Sequence, residues 1–129
     1  MAVFLVDYEN ESGKLLEGVS LVGLNENDEI IIFYSKNASR VPMALHKELE
    51  RTPAKKAYIM IEVGTPNALD FQLCSYLGAC VHKNPEKEYY IVSKDCGFDC
   101  VCRFWRMYSV SVKRIRGFIH YQKPTGEYI

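Results

Sequence analysis

The 129-residue sequence lacks the features that would place it in or across a membrane. Its longest apolar runs fall well short of the roughly 18 residues that a membrane-spanning helix needs. Its first residues do not show the basic region, apolar stretch and small-residue cleavage site of a secretory signal. We therefore expect a cytoplasmic protein.

Cysteine is present without a pairing pattern. The chain has five cysteines, an odd number, and no two of them are spaced as C-x-x-C. This pattern argues against a disulfide framework and against a zinc site. We interpret most of the cysteines as small hydrophobic residues buried on helices.

Several enzyme motifs are also missing. Neither G-x-x-x-x-G-K-[ST] nor G-x-G-x-x-G occurs, which disfavours nucleoside triphosphatases and dinucleotide enzymes. The three histidines, His46, His82 and His120, fall on different predicted elements, so a histidine-based ribonuclease is not indicated.

The net charge of zero hides an uneven distribution of charge. Residues 1–50 contain nine acidic and four basic residues, whereas residues 51–129 contain seven acidic and twelve basic residues. After position 100, Glu127 is the only acid among six Lys or Arg residues. Such a chain could bind a cation and a polyanion side by side, although ordinary solvated surfaces would also explain the pattern.

Apolar segments typical of strands alternate with segments of helical periodicity, which predicts an α/β fold with a mainly parallel sheet. We expect a three-layer sandwich with about five strands, in one domain whose core covers about residues 2–116. The tail, 117–129, either adds an edge strand or stays loose. The predicted strands are 2–6, 30–35, 57–63, 89–93 and 110–115, and the predicted helices begin near residues 12, 42, 67 and 96.

Acidic residues follow the predicted strands at the edge where such sheets bind ligands. Asp7 follows the first strand, Asp70 opens the third helix, and Asp95 and Asp99 follow the fourth strand. Taken singly, Asp70 could favour its helix N-terminus, and Asp95 or Asp99 could cap the fourth helix. Held together, such carboxylates repel one another, and Mg²⁺ or Mn²⁺ would remove that conflict. The sequence therefore favours a metal site formed by these four residues.

Three segments in this order resemble the PIN-like nucleases, particularly the NYN branch: FLVDYEN, NALDFQLCSYLG and IVSKDCGFD. The resemblance implies a PIN-like fold and a metal-dependent ribonuclease. By position it implies that Asp7, Asp70, Asp95 and Asp99 are the catalytic, metal-binding acids. It also implies that Asn10 and Ser93 help to shape the site. Many PIN domains have a further acid on the helix after the second strand, for which only Glu48 or Glu50 is available here.

From this resemblance we expect an endoribonuclease that uses Mg²⁺ or Mn²⁺ to hydrolyse single-stranded RNA and leaves a 5′-phosphate. We also expect a homodimer. Tyr8 either stacks on a base or packs at the rim, and Phe104 and Trp105 belong to the core. The alternatives are a catalytically weak PIN-like module that binds RNA or protein, and a metal-dependent phosphatase or nucleotide-processing enzyme. The expected substrate contacts are Asn10, Ser35, Lys36, Asn37, Arg40, Ser93, Lys94, Arg103 and Arg106.

Overall fold

A computed structural model describes residues 1–9 and 13–123 of the protein. Five parallel strands form one sheet in the order β3-β2-β1-β4-β5, which confirms the predicted α/β fold. Within these two ranges, three α-helices and four short 3-10 helices connect and cover the strands. The strands are β1 (Ala2–Tyr8), β2 (Glu29–Tyr34), β3 (Lys55–Met60), β4 (Glu88–Val92) and β5 (Val112–Ile115), and the helices are α1 (Met43–Arg51), α2 (Ala68–Lys83) and α3 (Asp99–Arg106).

The core has two layers, one on each face of the sheet, and the central strand β1 contributes side chains to both. All seven of its residues are buried, because β2 and β4 flank it and helices cover both faces of the sheet. Alternate side chains point to opposite faces. Phe4 and Val6 pack on the side of α1, whereas Val3 and Leu5 pack on the side of α2 and α3. The same alternation places Asp7 on the α2 side, at the carboxyl end of the sheet.

The α-helix predicted between the first two strands is wrong. Residues Gly13–Leu16 and Val19–Leu21 form two short 3-10 helices instead. Gly18 lies between them with a φ of 76°, a left-handed conformation that interrupts any regular helix. Leu15, Leu16 and Val19 are buried all the same, which explains the misleading pattern.

Helix α2 begins where expected, although no side chain caps its first turn. Asn67 has a φ of 65°, and its side chain makes no capping hydrogen bond to the helix. The buried stripe of α2 packs against the sheet through Leu69, Leu73, Leu77 and Val81. This packing fixes the first turn of α2, which carries Asp70, beside the end of β1.

The C-terminal segment contributes to the core as far as Tyr121. Residues Phe118–His120 form a 3-10 helix, so the predicted edge strand is not formed by residues 117–123. The rings of Phe118 and Tyr121 pack on Phe4 with centroid distances of 4.9 and 5.0 Å. The remainder of the predicted tail, 124–129, lies outside the described residues.

In the two described ranges, no helix combines the length and the apolar composition that crossing a bilayer requires.

Candidate metal centre

Asp7 is a buried carboxylate at the centre of the sheet's carboxyl edge. Asp7 is only 7% exposed. Its Oδ2 accepts a hydrogen bond of 2.7 Å from the Ser93 hydroxyl, whereas its buried Oδ1 has no hydrogen-bond partner in the described part of the chain. Burial raises the pKa of Asp7 to about 6, against the lowering effect of the Ser93 hydrogen bond. A buried oxygen without a partner is costly, and a bound cation would satisfy it.

Two further carboxylates converge on Asp7. Glu9 lies just past the end of β1, and Asp70 lies in the first turn of α2. One carboxylate oxygen from each of the three residues lies within 4.8 Å of the other two. Burial and then the negative charges of Asp95 and Glu9 raise the pKa of Asp70. Three carboxylates at this spacing repel one another, so the arrangement suits a divalent cation.

Asp95 stands on the rim of this group and also caps the helix that follows. Its backbone N–H donates to the Ser93 hydroxyl oxygen at 3.0 Å, and its Oδ1 accepts from the Gly97 N–H at 2.8 Å. Its charge nevertheless contributes to raising the pKa of both Asp7 and Asp70. The carboxylate is therefore close enough to stabilise a cation electrostatically while it caps residues Cys96–Phe98.

Asp99 is engaged elsewhere. Its two oxygens accept hydrogen bonds from the Arg114 guanidinium at 2.7 and 3.3 Å, and this contact holds the pKa of Asp99 below its usual range. It does not belong to the group formed by Asp7, Glu9 and Asp70. A carboxylate bound through both oxygens to a guanidinium is a poor candidate for a metal ligand. A metal-binding role for Asp99 stays a prediction.

Glu9 is a candidate ligand that was not predicted from the sequence. The signal that could have identified it is its spacing from Asp7, since residues two apart on a strand point to the same face. On the helix after the second strand, neither Glu48 nor Glu50 belongs to the acidic group found in the described ranges. Glu48 instead accepts hydrogen bonds from the backbone N–H and hydroxyl of Ser20.

The predicted substrate contacts after the second strand form a tight turn beside the acids. The Ser35 hydroxyl oxygen accepts from the Asn37 N–H at 3.2 Å, and the Ser35 carbonyl accepts from the Ala38 N–H at 2.9 Å. Ser35 is thus a buried residue that holds the turn, whereas Lys36 and Asn37 are exposed. Asn37 and Glu9 line the same hollow of about 180 Å³.

The remaining predicted contacts are spread around the same edge. Lys94 lines a hollow of about 260 Å³ together with Lys14 and Arg116. Arg40 is exposed, and Asn10 lies outside the described residues. Whether these residues touch a substrate stays a prediction.

Three aromatic residues can now be placed. Tyr8 is 1% exposed, and its hydroxyl donates a hydrogen bond to the Arg40 carbonyl. Tyr8 therefore packs at the rim and does not stack on a base. Trp105 is half-buried against the core, as predicted. The core prediction is wrong for Phe104, whose residue is 50% exposed because it lies on the outer side of α3.

We expect Ser93→Ala to weaken the site without unfolding it. The change removes the hydrogen bond that favours ionised Asp7, so the pKa of Asp7 should rise above about 6. Loss of a partner that orients a ligand typically costs roughly 10–100-fold in metal affinity or activity. Calorimetric titration with Mn²⁺ at neutral pH measures the effect, and unchanged affinity would show that this contact does not support the site.

The three acids fit a hard divalent cation. All the donor atoms of the group are carboxylate oxygens, the ligands that Mg²⁺ and Mn²⁺ prefer, and neither histidine nor cysteine belongs to it in the described ranges. Such a site is open to water and to phosphate oxygens on its solvent side, since Glu9 is exposed.

Comparison with known proteins agrees with this geometry. A family model described as PIN domain matches residues 1–115, a span that includes all five strands and all three α-helices. No curated protein and no solved structure matches the chain significantly. PIN domains are generally nucleases and are typically metal-dependent. Assignment to the NYN branch stays a prediction. With a match that covers most of its length and the acidic group in place, the chain belongs to the PIN domain family.

Proposed function

We propose that the protein is a metal-dependent endoribonuclease that hydrolyses phosphodiester bonds of single-stranded RNA with Mg²⁺ or Mn²⁺. The observation that carries the proposal is the buried Oδ1 of Asp7, which lacks a hydrogen-bond partner in the described ranges and lies among carboxylates. A structural acid at this position would be expected to have its oxygens satisfied by the protein. An acid that binds a cation would not.

The residues of the site have distinct roles in this proposal. Asp7, Glu9 and Asp70 hold the cation, and Ser93 fixes the orientation of Asp7 through its 2.7 Å hydrogen bond. A divalent cation supplies charge neutralisation at the phosphodiester and lowers the pKa of water for attack on phosphorus. With a pKa of about 6, Asp7 is mostly ionised at neutral pH and is therefore ready to bind.

Charge supports a polyanionic substrate at this edge of the sheet. Lys36, Lys94 and Arg103 are exposed, and none of them forms an ion pair in the described part of the chain. Cations placed around a carboxylate cluster favour a ligand that brings its own negative charge, as a phosphodiester backbone does. The choice of RNA over DNA follows the resemblance to PIN-like nucleases and is part of the proposal.

The test is a cleavage assay with a panel of substrates. The purified protein should cut a single-stranded oligoribonucleotide internally with Mn²⁺ or Mg²⁺, leave 5′-phosphate ends and be inactive in EDTA. Preferred cleavage of DNA or release of phosphate from small nucleotides would favour a phosphatase or nucleotide-processing enzyme. Binding without metal-dependent cleavage would favour a catalytically weak module.

The variant Glu9→Gln tests the ligand that only the structure identifies. Removing one charged ligand should weaken Mn²⁺ binding and cleavage by roughly tenfold or more, because ligand charge tunes the affinity of such sites. Glu86→Gln makes the same change on an exposed residue outside the group of three acids and should have no effect. Equal activity of the two variants would remove Glu9 from the site.

A further inference from the structure

A groove runs along the edge of the sheet formed by β5. Two hollows of about 280 and 290 Å³ lie there, and they share the lining residues Arg106, Val112 and Lys113. The first hollow also reaches Arg103 and Asp99 in α3, whereas the second reaches Ser109 at the opposite end. Because three residues line both hollows, the hollows are adjacent, and we call the two together the β5-edge groove.

The β5-edge groove carries an uncompensated positive charge. Arg103, Arg106 and Lys113 are exposed, and none of them forms an ion pair with a described residue. Among the described residues, Asp99 is the only acid that lines the groove, and its ion pair with Arg114 neutralises it. The sequence has no Asp or Glu from residue 100 to residue 123. The groove is therefore complementary to a chain of negative charges.

The groove starts beside the metal centre. Arg114 lines the same hollow as Asp99, and its Nη1 donates a hydrogen bond of 3.1 Å to the Ser93 carbonyl. The Ser93 hydroxyl in turn donates to Asp7 at 2.7 Å. One residue thus separates the end of the groove from the ligand at the centre of the site.

We infer that the β5-edge groove binds the backbone of single-stranded RNA on one side of the cleavage site, with Arg103, Arg106 and Lys113 contacting phosphates. The inference rests on the proposed function for its substrate class. It implies that the β5-edge groove, and not the group of acids, contributes most of the affinity for RNA.

This inference is tested by measuring RNA binding under conditions that prevent cleavage. A labelled single-stranded oligoribonucleotide is titrated with the full chain in EDTA, and fluorescence anisotropy is measured at several salt concentrations. The triple variant Arg103→Gln, Arg106→Gln, Lys113→Gln should bind at least about tenfold more weakly at low salt. Its slope of log K against log salt should fall by roughly 2, since each lost phosphate contact contributes about 0.7 for a single strand.

The matched control removes the same charge from the other side of the molecule. Lys47, Arg51 and Lys55 are exposed on α1 and on the edge strand β3, so Lys47→Gln, Arg51→Gln, Lys55→Gln should retain the wild-type slope. Equal slopes for the two triple variants would overturn the assignment. A changed molecular mass of the groove variant alone, with RNA binding intact, would also overturn it and identify a protein contact surface.

The preference for single strands has its own test. Tighter binding of duplex RNA than of single strands by the wild type would refute that preference. Failure of RNA cleavage together with groove-dependent binding would refute the proposed activity and leave the groove assignment standing.

Discussion

Asp7→Asn is expected to reduce metal-dependent cleavage of single-stranded RNA by at least about 10³-fold, or about 4 kcal/mol of activation free energy. The loss should exceed the roughly 10–100-fold that removal of a partner such as Ser93 costs, because Asp7 itself supplies the ligand oxygen. An amide lacks the negative charge that makes a carboxylate a strong ligand for a divalent cation. Initial rates at saturating Mn²⁺, together with calorimetric Mn²⁺ titration, measure the two losses.

A matched substitution shows whether the effect belongs to the site. Asp99→Asn makes the same chemical change at the acid held by Arg114, and we expect it to retain most of the cleavage activity and the Mn²⁺ affinity. If Asp99→Asn were as damaging as Asp7→Asn, the original prediction of Asp99 as a ligand would gain support. If Asp7→Asn kept wild-type activity, the metal centre would lie elsewhere and the proposed function would fail.

The sheet could be predicted because buried parallel strands read as continuous apolar runs. The segments AVFLV and IIIFY each lie within a strand of the structure, and the alternation with helical segments gave the parallel order of the connections. The segment after β1 failed because burial of Leu15, Leu16 and Val19 imitates a helical stripe. The left-handed φ of Gly18, which breaks that stripe into two 3-10 helices, leaves no signal in an apolar pattern.

The site was predictable to the extent that topology decides it. Asp7 and Asp70 meet because a strand end and a helix start share one edge of a parallel sheet. The contact between Asp99 and Arg114 depends on how α3 packs against β5, which pattern and spacing do not encode. Phe104 was misplaced for a related reason. Apolar character predicts burial only where a neighbouring element covers that side of the helix, and the outer side of α3 is uncovered.

The burial that suits Asp7 to binding a cation should also make the metal-free protein less stable at neutral pH than at acidic pH. Burial raises the pKa of Asp7 from 3.8 to about 6, so the native state binds more protons than the unfolded state between these values. The stabilising contribution of the protonated form is complete below pH 3.8 and is lost as the pH rises through about 6. Asp70 shifts in the same direction, whereas the lowered pKa of Asp99 acts in the opposite sense as the pH falls through its titration.

In EDTA, the free energy of unfolding of the wild type relative to Asp7→Asn should therefore decrease between pH 4 and pH 7. The decrease should amount to about 3 kcal/mol at most, because a shift of one pKa unit corresponds to about 1.4 kcal/mol. Adding Mn²⁺ at 100 times its dissociation constant at pH 7.5 should restore about 2.7 kcal/mol to the wild type and little to the variant. Urea denaturation at matched pH values measures both differences.

The two readouts separate a metal ligand from a structural acid. If Asp7 served only to accept the Ser93 hydrogen bond, the wild type would be more stable than Asp7→Asn in EDTA at pH 7.5, and Mn²⁺ would stabilise both proteins equally. If Asp7 is a ligand, removing the carboxylate makes the metal-free protein as stable or more stable and abolishes the response to Mn²⁺. Stability lost without the cation and regained with it is expected when burial of a carboxylate is offset by metal binding and not by the protein's own hydrogen bonds.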